Sequence, residues 1–295
     1  MTPYIQKLKY LLGSALRYNE KVACTYCGSS DCTRIDRKYL VTRLFECNKC
    51  HLYFRHPVEK ISHNKDFYQE EYQETDKVTT SMPSLEELEQ MKKNGFSGGN
   101  KNAQRYVDLF HALFPGKTNI RIVDYGSSWG YISWQLKQAG FDVQSYEISR
   151  PRASYGTRNL GLDIKTSEAE LEGGCDIFFS SHVIEHHPSI PDMVSLARKL
   201  LKPDGYFVAF CPNGSPQHRE HDPKGFTLAW GQVHPNYLNA RFFETIFKDH
   251  DYYIGGSPLN LPLVNEVRQG KQVTDSQLTS EELIVVSSIN QRHSS

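Results

Sequence analysis

The chain has 295 residues, enough for one large α/β domain and a small companion. Its 34 basic and 34 acidic residues cancel, so no overall basic field exists to draw nucleic acid or an anionic membrane surface. No run approaches the roughly 18–20 apolar residues of a spanning helix. The first residues, with Gln6, Lys7 and Lys9, lack the apolar core of a signal segment, and a cytoplasmic protein is expected.

Residues 2–19 space Ile5, Leu8, Leu12, Ala15 and Leu16 along one face of an amphipathic helix, read as a packing helix rather than a membrane-surface one. Seven cysteines follow along the chain, an odd count that speaks against a disulfide framework. Four of them form two Cys-x-x-Cys pairs, Cys24/Cys27 and Cys47/Cys50. Each pair places two thiolates on a tight turn, and together they match the tetrahedral set of a zinc ribbon. Four thiolates leave no open position, so this zinc is expected to be structural. Residues 39–46 have the strand propensity that the ribbon hairpin needs, and Cys32 is expected to be a spare thiol in a loop.

Residues 57–83 are polar and carry Phe67, Tyr68 and Tyr72. Ser84 and Glu87 then form a capping box that starts a helix, which stops near Asn94 and Gly95. Residues 101–114 give a second helix. From here strands are expected at 120–125, 141–147, 162–165, 176–180, 206–211, 252–254 and 282–288. Helices are expected at 130–139, 151–160, 190–201 and 237–248. Such alternation predicts a Rossmann-like, doubly wound, mostly parallel seven-stranded sheet, with its closing strands as an antiparallel edge.

The stretch Asp124-Tyr-Gly-Ser-Ser-Trp-Gly130 joins the first of these strands to its helix. A dinucleotide would demand G-x-G-x-x-G for close backbone approach to its pyrophosphate. Here Ser128 stands in the middle position with Trp129 beside it, so a ligand without pyrophosphate is better served. Glu147 ends the next strand, where an acidic side chain accepts ribose hydroxyls. Together these features point to a nucleoside site.

Four segments carry a resemblance: Asp124 to Gly130, Tyr146-Glu147-Ile148-Ser149, Cys175 to His186, and Leu200 to Asn213. Over about 100–288 the chain resembles the class I S-adenosylmethionine-dependent methyltransferases. The resemblance implies that Asp124, Gly126, Ser127, Ser128, Trp129 and Gly130 cradle the methionine end of the cofactor. It implies Glu147 and Ile148 at the ribose, Ser167 and Glu168 near the adenine, and Ser181 and His182 along the cofactor. A four-cysteine ribbon ahead of such a domain is similar to a subgroup of small-molecule, often sugar-modifying, methyltransferases. The expected organisation is a helix at 1–20, the ribbon at 21–56, a connector and cap over the cofactor at 57–99, the catalytic domain at 100–288 and a tail at 289–295. The ribbon is expected to be a separate small module.

An acceptor that loses a proton needs a base, and histidine suits neutral pH. The Glu185-His186 pair resembles the motif beside the acceptor in related O-methyltransferases, which makes His186 the first candidate. His234 is the second, and His218 and His221 read as solvated-loop residues. Quinone-type O-methyltransferases place a carboxylate three residues before such a Glu-His pair. His182 occupies that place here, so a second divalent metal is not expected. The expected partner is a small-molecule acceptor. The alternatives are methylation of RNA or a translation component, with Lys38, Arg43, Lys49 and Arg55 as a basic ribbon face, and a non-enzymatic nucleoside-binding interaction protein.

Overall fold

A computed structural model describes residues 3–58, 81–232 and 234–291. The residues Phe67, Tyr68 and Tyr72 of the expected connector lie outside this set, as does most of the tail. After helix α1 (Pro3–Leu16) come strands β1 (Cys32–Lys38), β2 (Thr42–Cys47) and β3 (Tyr53–His56). Helices α2 (Leu85–Lys93) and α3 (Gln104–Leu113) follow. The Ser84 capping box is present in full.

The main domain then runs β4 (Arg121–Tyr125), α4 (Tyr131–Gln138), β5 (Asp142–Tyr146), α5 (Arg150–Leu160), β6 (Ile164–Lys165) and β7 (Cys175–Ser181). It continues with α6 (Ile190–Leu200), β8 (Leu201–Pro212), α7 (Pro216–His221), α8 (Pro223–Ala229) and β9 (Asn236–Tyr237). Last come α9 (Ala240–Ile246), β10 (Tyr252–Gly256), α10 (Leu261–Val267), β11 (Gln272–Thr274) and β12 (Glu282–Ser287).

Eight strands form the central sheet in the order β11-β10-β12-β8-β7-β4-β5-β6. The chain winds from β4 outward through β5 and β6, then returns to β7 and β8 on the other side. That reversal opens a crevice at the carboxyl end of β4, where doubly wound sheets bind ligands. Two features differ from the expectation. The short β11 adds an eighth strand, parallel to β10. The single antiparallel strand, β12, lies inside the sheet between β8 and β10 rather than at its edge.

Side-chain alternation along the strands builds two cores. On one face Val123, Phe178, Phe207 and Ala209 pack with α6, α9 and ribbon residues Phe45, Leu52 and Phe54. On the other, Ile122, Ile177, Phe179, Val208 and Phe210 pack against α3, α4 and α10. Because the sheet is apolar on both faces, it is stable only with both faces covered.

The ribbon is not set apart as expected. Its sheet has the order β1-β2-β3-β9, and the fourth strand comes from the main domain. Leu44 and Tyr53 share a buried cluster with Phe226, Trp230 and Tyr237. The expected strand at 39–46 starts only at Thr42, because Tyr39 and Leu40 take positive φ (53° and 64°) to turn the hairpin. Cys32 opens β1 instead of lying in a loop. Among the described residues no helix is long and apolar enough to cross a membrane.

Candidate active site

The turn after β4 is built by three left-handed residues, Gly126 (φ 85°), Ser128 (φ 54°) and Gly130 (φ 84°). The N–H groups of Gly126 and Ser127 both donate to Tyr146 O at 2.8 Å, which clips the turn to the end of β5. A Cβ at Gly126 would collide with Val183, and one at Gly130 with Leu162. Ser128 pays for a conformation that costs a non-glycine residue about 1–2 kcal/mol, and two bonds offset it. Its N–H donates to Glu147 Oε2 at 2.8 Å, and its hydroxyl accepts from Arg152 at 2.8 Å. Trp129 turns its fully buried side chain away among Phe96, Tyr131 and Tyr155, so only its backbone belongs to the turn.

Asp124 is buried at the end of β4 and accepts the Ser133 hydroxyl at 2.5 Å; Ser145 in turn donates to Ser133 at 2.8 Å. Burial raises the Asp124 carboxyl to about 7, against the pull of Ser133. Glu147 is also buried and takes a second amide, that of Ser149, at 2.8 Å. Burial pushes its carboxyl up, although the two amides and Arg152 work the other way. Ile148 is half-buried against the core. The Ser127 hydroxyl is buried and has no hydrogen-bond partner among the described residues. A left-handed turn with no room for a Cβ, an unmet hydroxyl and a buried acid at the next strand end fit the methionine and ribose portions of S-adenosylmethionine.

On the far side, Ser167 caps the short 3-10 helix Glu168–Glu170. The Tyr125 hydroxyl donates to Glu168 and lies 3.1 Å from His187 Nε2, which ties this exposed segment to the end of β4.

The loop after β7 holds the remaining candidates. The Ser181 hydroxyl lies 3.1 Å from Tyr106 OH. His182 has a left-handed backbone (φ 54°), with Nε2 3.0 Å from Glu282 Oε1 and Nδ1 3.6 Å from Glu185 Oε1. Desolvation opposes the His182 cation, but the two carboxylates outweigh it and raise its pKa to about 10. Arg105 clasps Glu282 with two bonds of 2.6 and 2.9 Å. Glu185 is fully buried; His186 Nε2 lies 3.8 Å from its Oε1, and the His234 ring sits 4.6 Å from that of His186. The three residues expected to be catalytic therefore meet in space.

Sequence reasoning missed Glu282 and Arg105. Since β12 is antiparallel, its first residue reaches the carboxyl end of β8, with Glu282 opposite Pro212. The available signal was an acidic pair, Glu281 and Glu282, directly before an apolar run. His218 departs from the solvated-loop reading: it is buried in α7, with Nδ1 2.9 Å from Thr279 O. His221 is exposed.

In the ribbon, the Sγ atoms of Cys24, Cys27, Cys47 and Cys50 all lie within 4.8 Å of one another, and the 24–50 and 27–47 pairs are 3.5 Å apart. Zinc–sulfur bonds of about 2.3 Å in a tetrahedron need sulfurs about 3.8 Å apart, so the cluster fits zinc. Cys32 stays outside it; burial, then the neighbouring Cys47 and Cys24, raise its thiol to about 12.

The family model described as a methyltransferase domain matches residues 99–254, more than half of the chain. The chain belongs to this methyltransferase family. With the doubly wound sheet and the glycine turn, this agrees with the expected class I S-adenosylmethionine-dependent methyltransferase. No curated protein matches the chain.

Several solved structures are similar to this methyltransferase. The plantazolicin methyltransferase BpumL in complex with SAH is 16% identical over 76% of this chain and 94% of that one, with a TM-score of 0.48. A SAM-dependent methyltransferase from Archaeoglobus fulgidus is 14% identical over 69% and 99%, with a TM-score of 0.45. A TehB-like SAM-dependent methyltransferase from Corynebacterium glutamicum is 16% identical over 69% and 96%, with a TM-score of 0.41.

Proposed function

We propose that this methyltransferase binds S-adenosylmethionine at the carboxyl ends of β4, β5 and β7 and methylates a small-molecule acceptor. The observation that carries the reading is the convergence of Glu185, His186 and His234 on the loop whose Val183 packs against Gly126. S-adenosylmethionine supplies a methyl group activated on a sulfonium, for in-line displacement by the acceptor.

The turn from Gly126 to Gly130 receives the methionine end, with Ser127 offering its hydroxyl. Asp124 faces the charge of the ammonium, Glu147 accepts the ribose hydroxyls, and Ser167 and Glu168 border the adenine. Ser181 and His182 close the crevice beside the cofactor. At the acceptor, His186 takes the proton of an attacking hydroxyl or amine, with His234 as the alternative base. Buried Glu185 orients the imidazoles. The four ribbon cysteines hold a structural zinc.

The test is to incubate metabolite extracts with the enzyme and isotopically labelled S-adenosylmethionine, then identify the labelled product by mass spectrometry. A labelled small molecule, with turnover lost in His186→Gln while cofactor affinity is kept, is the expected result. Failure to bind the cofactor at millimolar concentration defeats the reading.

A further inference from the structure

We infer that Glu185, His186 and His234 form a site for a divalent transition-metal ion at the acceptor end of the crevice, distinct from the ribbon cluster. One ligand atom from each lies within 4.8 Å of the other two. A single carboxylate with two imidazoles suits zinc or ferrous iron better than magnesium, and three protein ligands leave a position open.

Two independent observations point to a ligand. The Glu185 side chain is 0% exposed, yet neither carboxylate oxygen has a hydrogen-bond partner among the described residues. The nearest imidazole nitrogens, His182 Nδ1 and His186 Nε2, stand at 3.6 and 3.8 Å, within ion-pair range but beyond hydrogen-bond reach. These longer ion pairs leave the hydrogen-bonding capacity of both buried oxygens unused, and a cation among the three side chains satisfies it.

The second is the tautomer of His234. Its Nδ1 contacts Ala229 O, and a carbonyl only accepts, so Nδ1 carries a proton and the neutral ring has its lone pair on Nε2. This is the outer bond that metal-ligating histidines commonly make. The site is also braced: the Asn236 N–H donates to Glu185 O at 3.2 Å, and its side-chain amide donates to His187 O at 2.9 Å.

The third ligand explains why the sequence pattern around His182 pointed away from a second metal. His182 is occupied by Glu282, and the missing donor is His234, 49 residues beyond Glu185 in the chain. The role of the ion in turnover rests on the proposed acceptor site: with both imidazoles engaged, an acceptor hydroxyl in the open position is acidified by the ion and loses its proton to solvent, and its oxygen takes the methyl group as the S–CH3 bond breaks and S-adenosylhomocysteine leaves. The presence of the ion does not depend on that reading.

The test is equilibrium dialysis of the full-length reduced protein against zinc, followed by elemental analysis, and repeated with cobalt(II) for its absorption spectrum. Wild type is expected to hold about two ions per chain, and Glu185→Gln and His234→Ala about one each, with the thiolate–cobalt bands unchanged. His234→Ala sits on a loop, and its melting curve separates metal loss from misfolding should Glu185→Gln fail to fold. Equal metal content in wild type and His234→Ala, with only thiolate bands for cobalt, overturns the inference. A second ion found in a protein that methylates no acceptor would sink the proposed function and leave the metal site standing.

Discussion

Glu147 accepts the backbone N–H of Ser128 at 2.8 Å, across 19 residues of sequence, and so bolts the turn from Gly126 to Gly130 to the end of the neighbouring strand. The same carboxylate takes the Ser149 amide, so one side chain organises both sides of the crevice. Hydrogen bonds to a charged group contribute about 1.5–3 kcal/mol each. Glu147→Ala is therefore expected to weaken S-adenosylmethionine binding by at least about tenfold and to lower the melting temperature. Titration calorimetry and thermal unfolding check both. Unchanged affinity would show that this acid is only a brace for the turn.

Gly126→Ala meets two obstacles, a φ of 85° and the Val183 side chain. The left-handed backbone alone costs about 1–2 kcal/mol. The single substitution should abolish cofactor binding, and adding Val183→Ala should restore part of it by removing the collision but not the strain. A double variant no better than the single one would show that the backbone term dominates.

Asp124 makes both stability and binding depend on pH. Its folded pKa of about 7 lies above the ordinary carboxyl value of 3.8, so the folded state holds a proton that the unfolded state has released. Its contribution is fully present below pH about 4 and is lost as pH rises toward 7, a change of order 4 kcal/mol. Urea unfolding of wild type and Asp124→Asn without cofactor, from pH 5 to 8, should show wild type falling relative to the variant. If the cofactor ammonium faces Asp124, wild-type affinity should weaken by up to about tenfold for each unit that pH falls below 7, because binding must then displace the proton, and Asp124→Asn should be flat. Parallel affinity curves would place the ammonium elsewhere.

Cys47→Ser should lose about one zinc equivalent and lower the melting temperature, whereas Cys32→Ser should do neither. Because Phe54 of β3 pairs with Asn236, two residues from His234, Cys47→Ser should also reduce turnover at saturating cofactor. Steady-state kinetics on folded variant check this; a turnover number equal to wild type would uncouple ribbon and site.

The alternating core was legible because β4, β5, β7 and β8 are apolar runs ended by turn residues, and those ends carry Asp124, Glu147 and His182. The family match over 99–254 agrees with the class they implied. Pieces decided by long-range contact were not legible. Asn236 and Tyr237 show no strand pattern of their own and become β9 only because β3 offers an edge. Tyr39 has a side chain that favours strands, yet the hairpin needs it and Leu40 left-handed. Arg105 and Glu282 are 177 residues apart, joined only by the antiparallel insertion of β12.

The pairing of β3 with β9 also sets an order of events on the ribosome. Three strands of the ribbon are finished at His56, and the fourth begins 180 residues later at Asn236. At roughly 5–20 residues per second, the ribbon waits on the order of 10–35 s for its last strand. Through that interval β3 presents an open edge beside the four clustered cysteines, and the edge closes only once the chain around His234 has been made.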